Sequence, residues 1–317
     1  MTGGSMSGPV VVTGGAGAIG SSLVPALLAR GHEVRVIDNL SSGRREHLPS
    51  VDRVVFVGAD LRAPEEYYDR FEGVQAVWHL AANPDIRLGT NEPRVDLENG
   101  TLATFNVLEA ARRHDVKSVV YSSSSVVYGA ARTFPTPEEY GPLMPESNYG
   151  AGKLAGEGLV SAYAHSYGMR AHIYRFANII GPGMTHGILP DFFEKLRKDP
   201  LRLEVLGDGN QAKSYLRTED CIDGMLVGVD RAKDRVNIFN LGTTDRISVR
   251  TIAEKVVAAH GGRARIEYTG GTRGWVGDVP QQLLSIDRMS RLGWRPRQDS
   301  AGAIDRTIAE MQAGRPK

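Results

Sequence analysis

The sequence predicts an α/β fold, a doubly wound parallel sheet with a smaller carboxyl-terminal lobe. Three observations predict it: short apolar runs alternate with amphipathic stretches over residues 9–178, turn residues close each run, and a glycine-rich turn follows the first run directly. Strands that alternate with helices must be joined by crossovers, which makes the sheet parallel and covers both its faces.

Taken in order, PVVVTGG (9–15) is the first strand and its turn, and AIGSSLVPALLARG (18–31) the first helix. Pro25 lies about two turns into that helix, where it removes a backbone donor and is expected to bend it. EVRVID (33–38), RVVFVG (53–58), QAVWHLAA (75–82), VKSVVYSSSS (116–125) and RAHIYRFAN (170–178) are the next five strands, and TLATFNVLEAARRH (101–114) is a helix between the fourth and fifth. Beyond Asn178 the pattern loosens into Gly/Pro loops (IIGPGMTHG, LGDGNQ, TGGTRGWVGDVP), helices near 188–198, 247–260 and 300–313, and a run VNIFNLG (236–242) able to return to the main sheet. Residues 1–178 and 179–317 are therefore expected as two units, the second threaded on the first.

Bulk properties narrow the function. The chain has 317 residues, 41% hydrophobic and 24% charged, enough for a sizeable core. A net charge of +1 without a basic run argues against nucleic acid or an anionic membrane as partner, so an anionic ligand has to be held locally. One cysteine, Cys221, excludes an internal disulfide and a Cys-rich metal site and suits a reducing compartment. No stretch approaches 18 apolar residues, and MTGGSMSGPV lacks the regions of a signal peptide, so the cytoplasm is expected. The Gly/Ser-rich residues before Met6 read as a cloning remnant.

The turn TGGAGAIG spaces Gly14, Gly17 and Gly20 as G-x-x-G-x-x-G between a strand and a helix. Glycines there allow a tight turn and a close backbone approach to a pyrophosphate, which the helix N-terminus supplies with N–H donors. The second strand ends in Asp38, 24 residues after Gly14, placed to accept from both ribose hydroxyls of an adenine nucleotide and to repel a 2′-phosphate. This order of strand, turn, helix, strand and acid predicts a Rossmann-type domain that binds NAD rather than NADP. Asp60, after the third strand, is a candidate for the adenine edge or, equally, a helix N-cap.

The stretch NYGAGK (148–153) sets Tyr149 and Lys153 one helical turn apart, on one face, past the fifth strand. A Tyr-x-x-x-Lys pair alone is a weak signal; beside Ser122 to Ser125, at the carboxyl edge where open α/β sheets bind ligands, it acquires a setting.

Together these residues resemble the extended short-chain dehydrogenase/reductase family, most closely its nucleotide-sugar 4-epimerases of the UDP-glucose 4-epimerase kind. TGGAGAIG, VIDNLSSG, WHLAAN, SSSSVVYG, SNYGAGK, YRFANIIGPG, LGDGNQAKSY and RGWVGDV carry the resemblance, in family order from residue 13 to 279. It implies catalytic roles for Ser124, Tyr149 and Lys153. It also implies cofactor contacts at Gly14, Gly17, Ala18, Ile19, Gly20, Asp38, Asn39, Ser42, Gly43, Asp60, Leu61, Leu80, Ala81 and Ala82, with Tyr149 and Lys153. The substrate implied is a nucleoside-diphosphate sugar, UDP-linked, met by Ser124, Tyr149 and Asn178, with its diphosphate held by Lys213 and Arg273. A homodimer formed by helix packing is implied as well, and no metal.

Four departures bear on the activity. Gly100 stands where the family usually has Asn near the nicotinamide, with Asn99 one place earlier. Lys213 replaces an arginine, keeping charge and losing the bidentate fork. Ser125 and Val126 follow Ser124 where family dehydratases and decarboxylases carry acids. Met184, Thr185 and His186 follow the GPG turn where uronate-specific epimerases often have arginine, although Arg87 is a candidate carboxylate partner. Gln282 falls at the position that screens the sugar's carbon 2 substituent in the family.

The chemistry explains the residue types. Removing hydride from carbon 4 requires its hydroxyl to lose a proton, and a free tyrosine with a pKa of ~10 is only about 0.1% ionised at pH 7. Lowering that value to near 7 needs roughly 4 kcal/mol, and a positive charge at ~5 Å in an effective dielectric of ~20 contributes about 3 kcal/mol. Lys153 and an oxidised nicotinamide together meet that need, with Tyr149 the base and Ser124 the orienting hydroxyl. The expected function is an NAD-dependent 4-epimerase. The alternatives are a dehydratase, decarboxylase, uronate epimerase or net oxidoreductase on the same ligand class, or a non-catalytic NAD-binding sensor.

Overall fold

Val10–Thr13 (β1), four consecutive buried residues, is an inner strand of a seven-stranded parallel sheet. The computed structural model describes residues 8–313, so the segment before Met6 and its reading as a cloning remnant lie outside the described residues. On one side of β1 stand Val34–Asp38 (β2) and Val54–Gly58 (β3); on the other, Ala76–His79 (β4), Ser118–Ser124 (β5) and Arg170–Phe176 (β6). The seventh strand, Val236–Leu241, pairs in parallel with β6 from Val236 opposite Ala171 to Leu241 opposite Phe176, so the run VNIFNLG does return to the sheet. The strand order reverses between β1 and β4, and that switch point opens a crevice at the carboxyl ends.

Both faces of the sheet are covered, as near-continuous apolar strands require. One face packs Val10, Val12 and Val36 against Leu23 and Leu27 of the helix Gly20–Ala29 and against Met225 of a helix, Thr218–Arg231, that the apolar pattern had not marked. The other packs Val11, Val77 and Tyr121 against Val107 and Ala111 of the helix Ala103–Arg113 and Val160 of the helix Asn148–Tyr167. Pro25 sits on the exposed side of the first helix, which continues through it.

A third core, including Leu189, Phe192, Leu203, Ile252 and Ile304, lies in the carboxyl-terminal part. The helices Ile188–Lys198, Val249–Ala259 and Ser300–Ala313 build it, with the strand Arg202–Val205 paired to Arg265–Tyr268. A short strand, Asn178–Ile180, leaves β6 to pair with Tyr215–Arg217, and so ties this lobe to the edge of the crevice. No described helix is long and apolar enough to cross a membrane.

Candidate active site

The crevice at the switch point is a cleft of about 400 Å³. All the residues expected to contact the cofactor line it except Gly43, which packs behind it: a methyl group there would stand 2.8 Å from the Ala16 carbonyl carbon. The floor is a cradle that only glycine permits. Gly14 has φ +68°, and a methyl at Gly20 would meet the Gly14 carbonyl oxygen at 2.3 Å. Ala18 and Ile19 line the cleft at the start of a ten-residue helix whose first turn holds no acid, which leaves the N-terminal field free for an anion.

Asp38 closes the cradle at the end of β2. Its Oδ2 accepts from the Ala16 amide at 2.9 Å and its Oδ1 from Leu40 at 2.8 Å, so the carboxylate is fixed with lone pairs left over for ribose hydroxyls. Arg45, an arginine in the following loop, lies over the Phe56 ring at 4.6 Å and does not line the cleft. These groups fit NAD. Asp60 also lines the cleft, bonded to Arg62 at 2.8 Å, and chiefly that hydrogen bond lowers its pKa to about 2.

The helix Asn148–Tyr167 delivers the Tyr/Lys pair. Ser147 caps it, its Oγ accepting from the Gly150 amide at 3.1 Å, and Gly168 ends it at φ +72°. The small residues in NYGAGKLAGEG let this helix lie close to the sheet: a methyl at Gly156 would overlap the Tyr121 hydroxyl. Lys153 is consequently buried, with Nζ donating to the Ser122 carbonyl at 2.6 Å and standing 5.7 Å from the Tyr149 ring centroid. Ser124, Tyr149 and Lys153 all line the cleft, and the Ser124 Oγ also accepts from Val126 at 3.4 Å. Burial raises the Tyr149 phenol, with Asp96 adding to the rise. Burial also drives Lys153 down to about 7, against the opposing charges of Asp96 and Glu157. Sequence reasoning treated Lys153 as a fixed cation, whereas its surroundings make it titratable near neutrality.

Several supporting groups escaped the sequence. His79, buried at the end of β4, accepts from the Thr13 hydroxyl at 2.7 Å and donates to Thr104 at 3.0 Å, since Thr104 itself donates to the Gly100 carbonyl. Burial holds His79 neutral, down to about 3. Between the short helix Pro93–Asp96 and the helix Ala103–Arg113, residues Leu97–Leu102 form a π-helical turn. That wide turn puts Asn99 at the cleft wall, while Gly100 faces the helix Asn148–Tyr167, 3.5 Å from the Gly152 Cα measured from a methyl built there.

A second cavity, about 310 Å³, adjoins the cleft, and Asn178 lines both. The Asn178 Nδ2 donates to the Ser214 carbonyl at 3.0 Å. Lys213 lines the cavity, its Nζ on Asp278 at 2.6 Å. Arg273 does not line it: the guanidinium turns to the Glu146 carboxylate and donates to the Asp278 carbonyl at 3.0 Å. Three buried polar atoms of the lining, Gln211 Oε1, Trp275 Nε1 and Gln282 Nε2, have no partner among the described residues. Such atoms are costly unless a polar ligand satisfies them.

Residues 10–242 match the NAD dependent epimerase/dehydratase family. The chain is 32% identical over 309 residues to UDP-glucose 4-epimerase of Mycolicibacterium smegmatis, covering 94% of this chain and 96% of that one. Among solved structures it is similar to a UDP-galactose 4-epimerase (40% identity, TM-score 0.87, covering 96% and 99% of the two chains). It is also similar to the UDP-glucose 4-epimerase of Thermus thermophilus in complex with NAD (30% identity, TM-score 0.86, 97% and 100% covered).

Proposed function

The chain belongs to the NAD dependent epimerase/dehydratase family, and from that premise we propose that it interconverts the carbon 4 epimers of a nucleoside-diphosphate sugar, UDP-linked, in the cytoplasm. One observation carries the reading: Ser124, Tyr149 and Lys153 stand in the dinucleotide cleft where it meets a second cavity with three unpartnered polar atoms. NAD, when bound, supplies the hydride acceptor and donor for carbon 4.

Tyr149 takes the proton from the carbon 4 hydroxyl and returns it after the 4-keto sugar has turned over. Ser124 orients that hydroxyl, and Lys153, in its charged form, stabilises the phenolate. Lys213 is the cation for the diphosphate, with Asp278 its resident partner; Arg273 reaches it only by leaving Glu146. Gln282 Nε2 is a free donor on the sugar side. Ser125 and Val126 offer no acid to expel water, which supports an epimerase over a dehydratase.

The test uses heavy water. The protein is incubated separately with UDP-glucose, UDP-N-acetylglucosamine and UDP-glucuronate, without reductant, and followed by proton NMR. Growth of a carbon 4 epimer from at least one, with its carbon-bound hydrogens undiluted, is expected, because an epimerase returns the hydrogen it removed. Deuterium on the ring, a pentose or 6-deoxy product, or stoichiometric use of cofactor would sink the reading, and silence from all three would return the sensor.

Two protomers are also expected to pack through the helices Ala103–Arg113 and Asn148–Tyr167. Leu102, Phe105 and Tyr167 are exposed there, and Leu97 just ahead of them is 60% exposed, an apolar surface of the kind that marks an interface. Sedimentation equilibrium should give twice the chain mass; a monomer at micromolar concentration would refute the arrangement.

A further inference from the structure

Asp96 has no role in the reaction as described, yet it lies directly behind the reacting pair. It ends the short helix Pro93–Asp96 and is 2% exposed. Its Oδ1 accepts from the Asn83 Nδ2 at 2.9 Å, and its Oδ2 is buried with no partner among the described residues. The absence of a side chain at Gly89 makes room for that oxygen, since a methyl there would sit 1.7 Å from it. The Asp96 carbonyl in turn meets Gly152, between Tyr149 and Lys153, where a methyl would stand 3.0 Å away.

The groups around Lys153 come from four elements. Tyr121 on β5 presents its ring at 5.1 Å, Tyr149 its ring at 5.7 Å, and His79 on β4 is uncharged. Two acids raise the ammonium through charge alone, neither in ion-pair contact with it: Asp96 from the short helix and Glu157 one turn along its own helix, and burial raises the Asp96 carboxyl while Asn83 and Lys153 pull it down. Glu157 is already matched, gripped by Arg175 at 2.7 Å and 2.9 Å. Asp96 has only the neutral amide of Asn83. A buried carboxylate without a cation is strongly disfavoured, and a buried ammonium equally so.

We propose that Asp96 is a positioning residue whose buried carboxylate is the counter-charge of the Lys153 ammonium, fixing the charge state of the Tyr149–Lys153 pair from behind the cleft. This rests on reading that pair as the reacting groups. An anion at Asp96 raises both members of the pair, so its removal moves both limbs of the pH–rate profile to lower pH. Both limbs belong to the Tyr149–Lys153 pair as a unit, burial having raised the phenol and brought the ammonium down to about 7, so the two apparent midpoints move together. A purely structural lesion lowers turnover without displacing the two limbs together.

The decisive measurement needs no turnover. In NAD-loaded protein carrying carbon-13 at lysine Cε, the Lys153 resonance is assigned by its loss in Lys153→Met and titrated by NMR. Asp96→Asn is expected to lower its midpoint by about one pH unit or more; an unchanged midpoint in the folded variant overturns the proposal. Should Asp96→Asn not fold, the reciprocal arm decides. Lys153→Met should show an infrared band of a protonated carboxyl at neutral pH that the wild type lacks, and its absence overturns the proposal. A protein inactive on every nucleotide sugar would still answer both questions.

Discussion

Replacing Tyr149 with Phe is expected to lower turnover by about three powers of ten or more, while nucleotide-sugar affinity stays within a few-fold. The reason lies in what the hydroxyl touches. The Tyr149 ring faces Lys153 and burial keeps its phenol protonated, so on the proposed reading the hydroxyl's part is proton transfer. A positive charge at ~5 Å in an effective dielectric of ~20 is worth about 3 kcal/mol to the phenolate. Lys153 supplies that charge only while protonated, and burial brings it down to about 7 while raising the Tyr149 phenol, so the pair titrates as a unit and turnover should fall on the alkaline side as the ammonium is lost. Calorimetric titration of the sugar nucleotide beside steady-state rates separates binding from chemistry. A Phe variant with near-normal turnover would remove Tyr149 as the base. The melting temperature should not change, which marks the loss as chemical.

The fold was legible because the inner strands are buried on both faces. Runs such as VVVT and AVWH need no partner information to be recognised, and alternation with helices fixed a parallel sheet with the last strand at 236–241. The Thr218–Arg231 helix was not, since its acids and glycines blur the apolar stripe that packs Cys221 and Met225 on the sheet. Within the site, the glycine cradle, Asp38 and the Tyr/Lys pair are local in sequence, and the fold brings them into one cleft. The charges were harder to place. Arg273 and Glu146 are 127 residues apart, and Lys213 and Asp278 65 apart, so nothing in either neighbourhood announces that each cation has a resident acid. Asp96 and Glu98 stand two places apart in PRVDLENG, yet one is buried against Asn83 and the other reaches Arg62 and Arg94 at the surface. Only packing distinguishes them.

Arg175 shows the same limit on a larger scale, and its replacement should have the opposite signature to that of Tyr149. In the sequence it interrupts an apolar strand; in the fold it is 3% exposed and holds Glu157 in a bidentate pair, with further bonds to the Tyr128 hydroxyl at 2.9 Å and the Glu138 carbonyl at 3.1 Å. Arg175→Met leaves the Glu157 carboxylate buried with only the Ser123 hydroxyl as donor. Stranding a buried charge in this way costs about 3–5 kcal/mol, or on the order of 10 °C in melting temperature for a chain of this size. Turnover per folded molecule should fall less than about tenfold, because Arg175 bonds neither Tyr149 nor Lys153 and acts on them only through Ser123 and Glu157. The double variant Arg175→Met with Glu157→Leu removes both charges at similar volume and should recover most of the lost stability, since replacing a buried pair by apolar groups is often neutral. A double variant as unstable as the single one would show that packing around the guanidinium, and not the stranded carboxylate, carries the cost. Loss of turnover matching that of Tyr149→Phe, in protein that still melts normally, would place Arg175 in the chemistry instead.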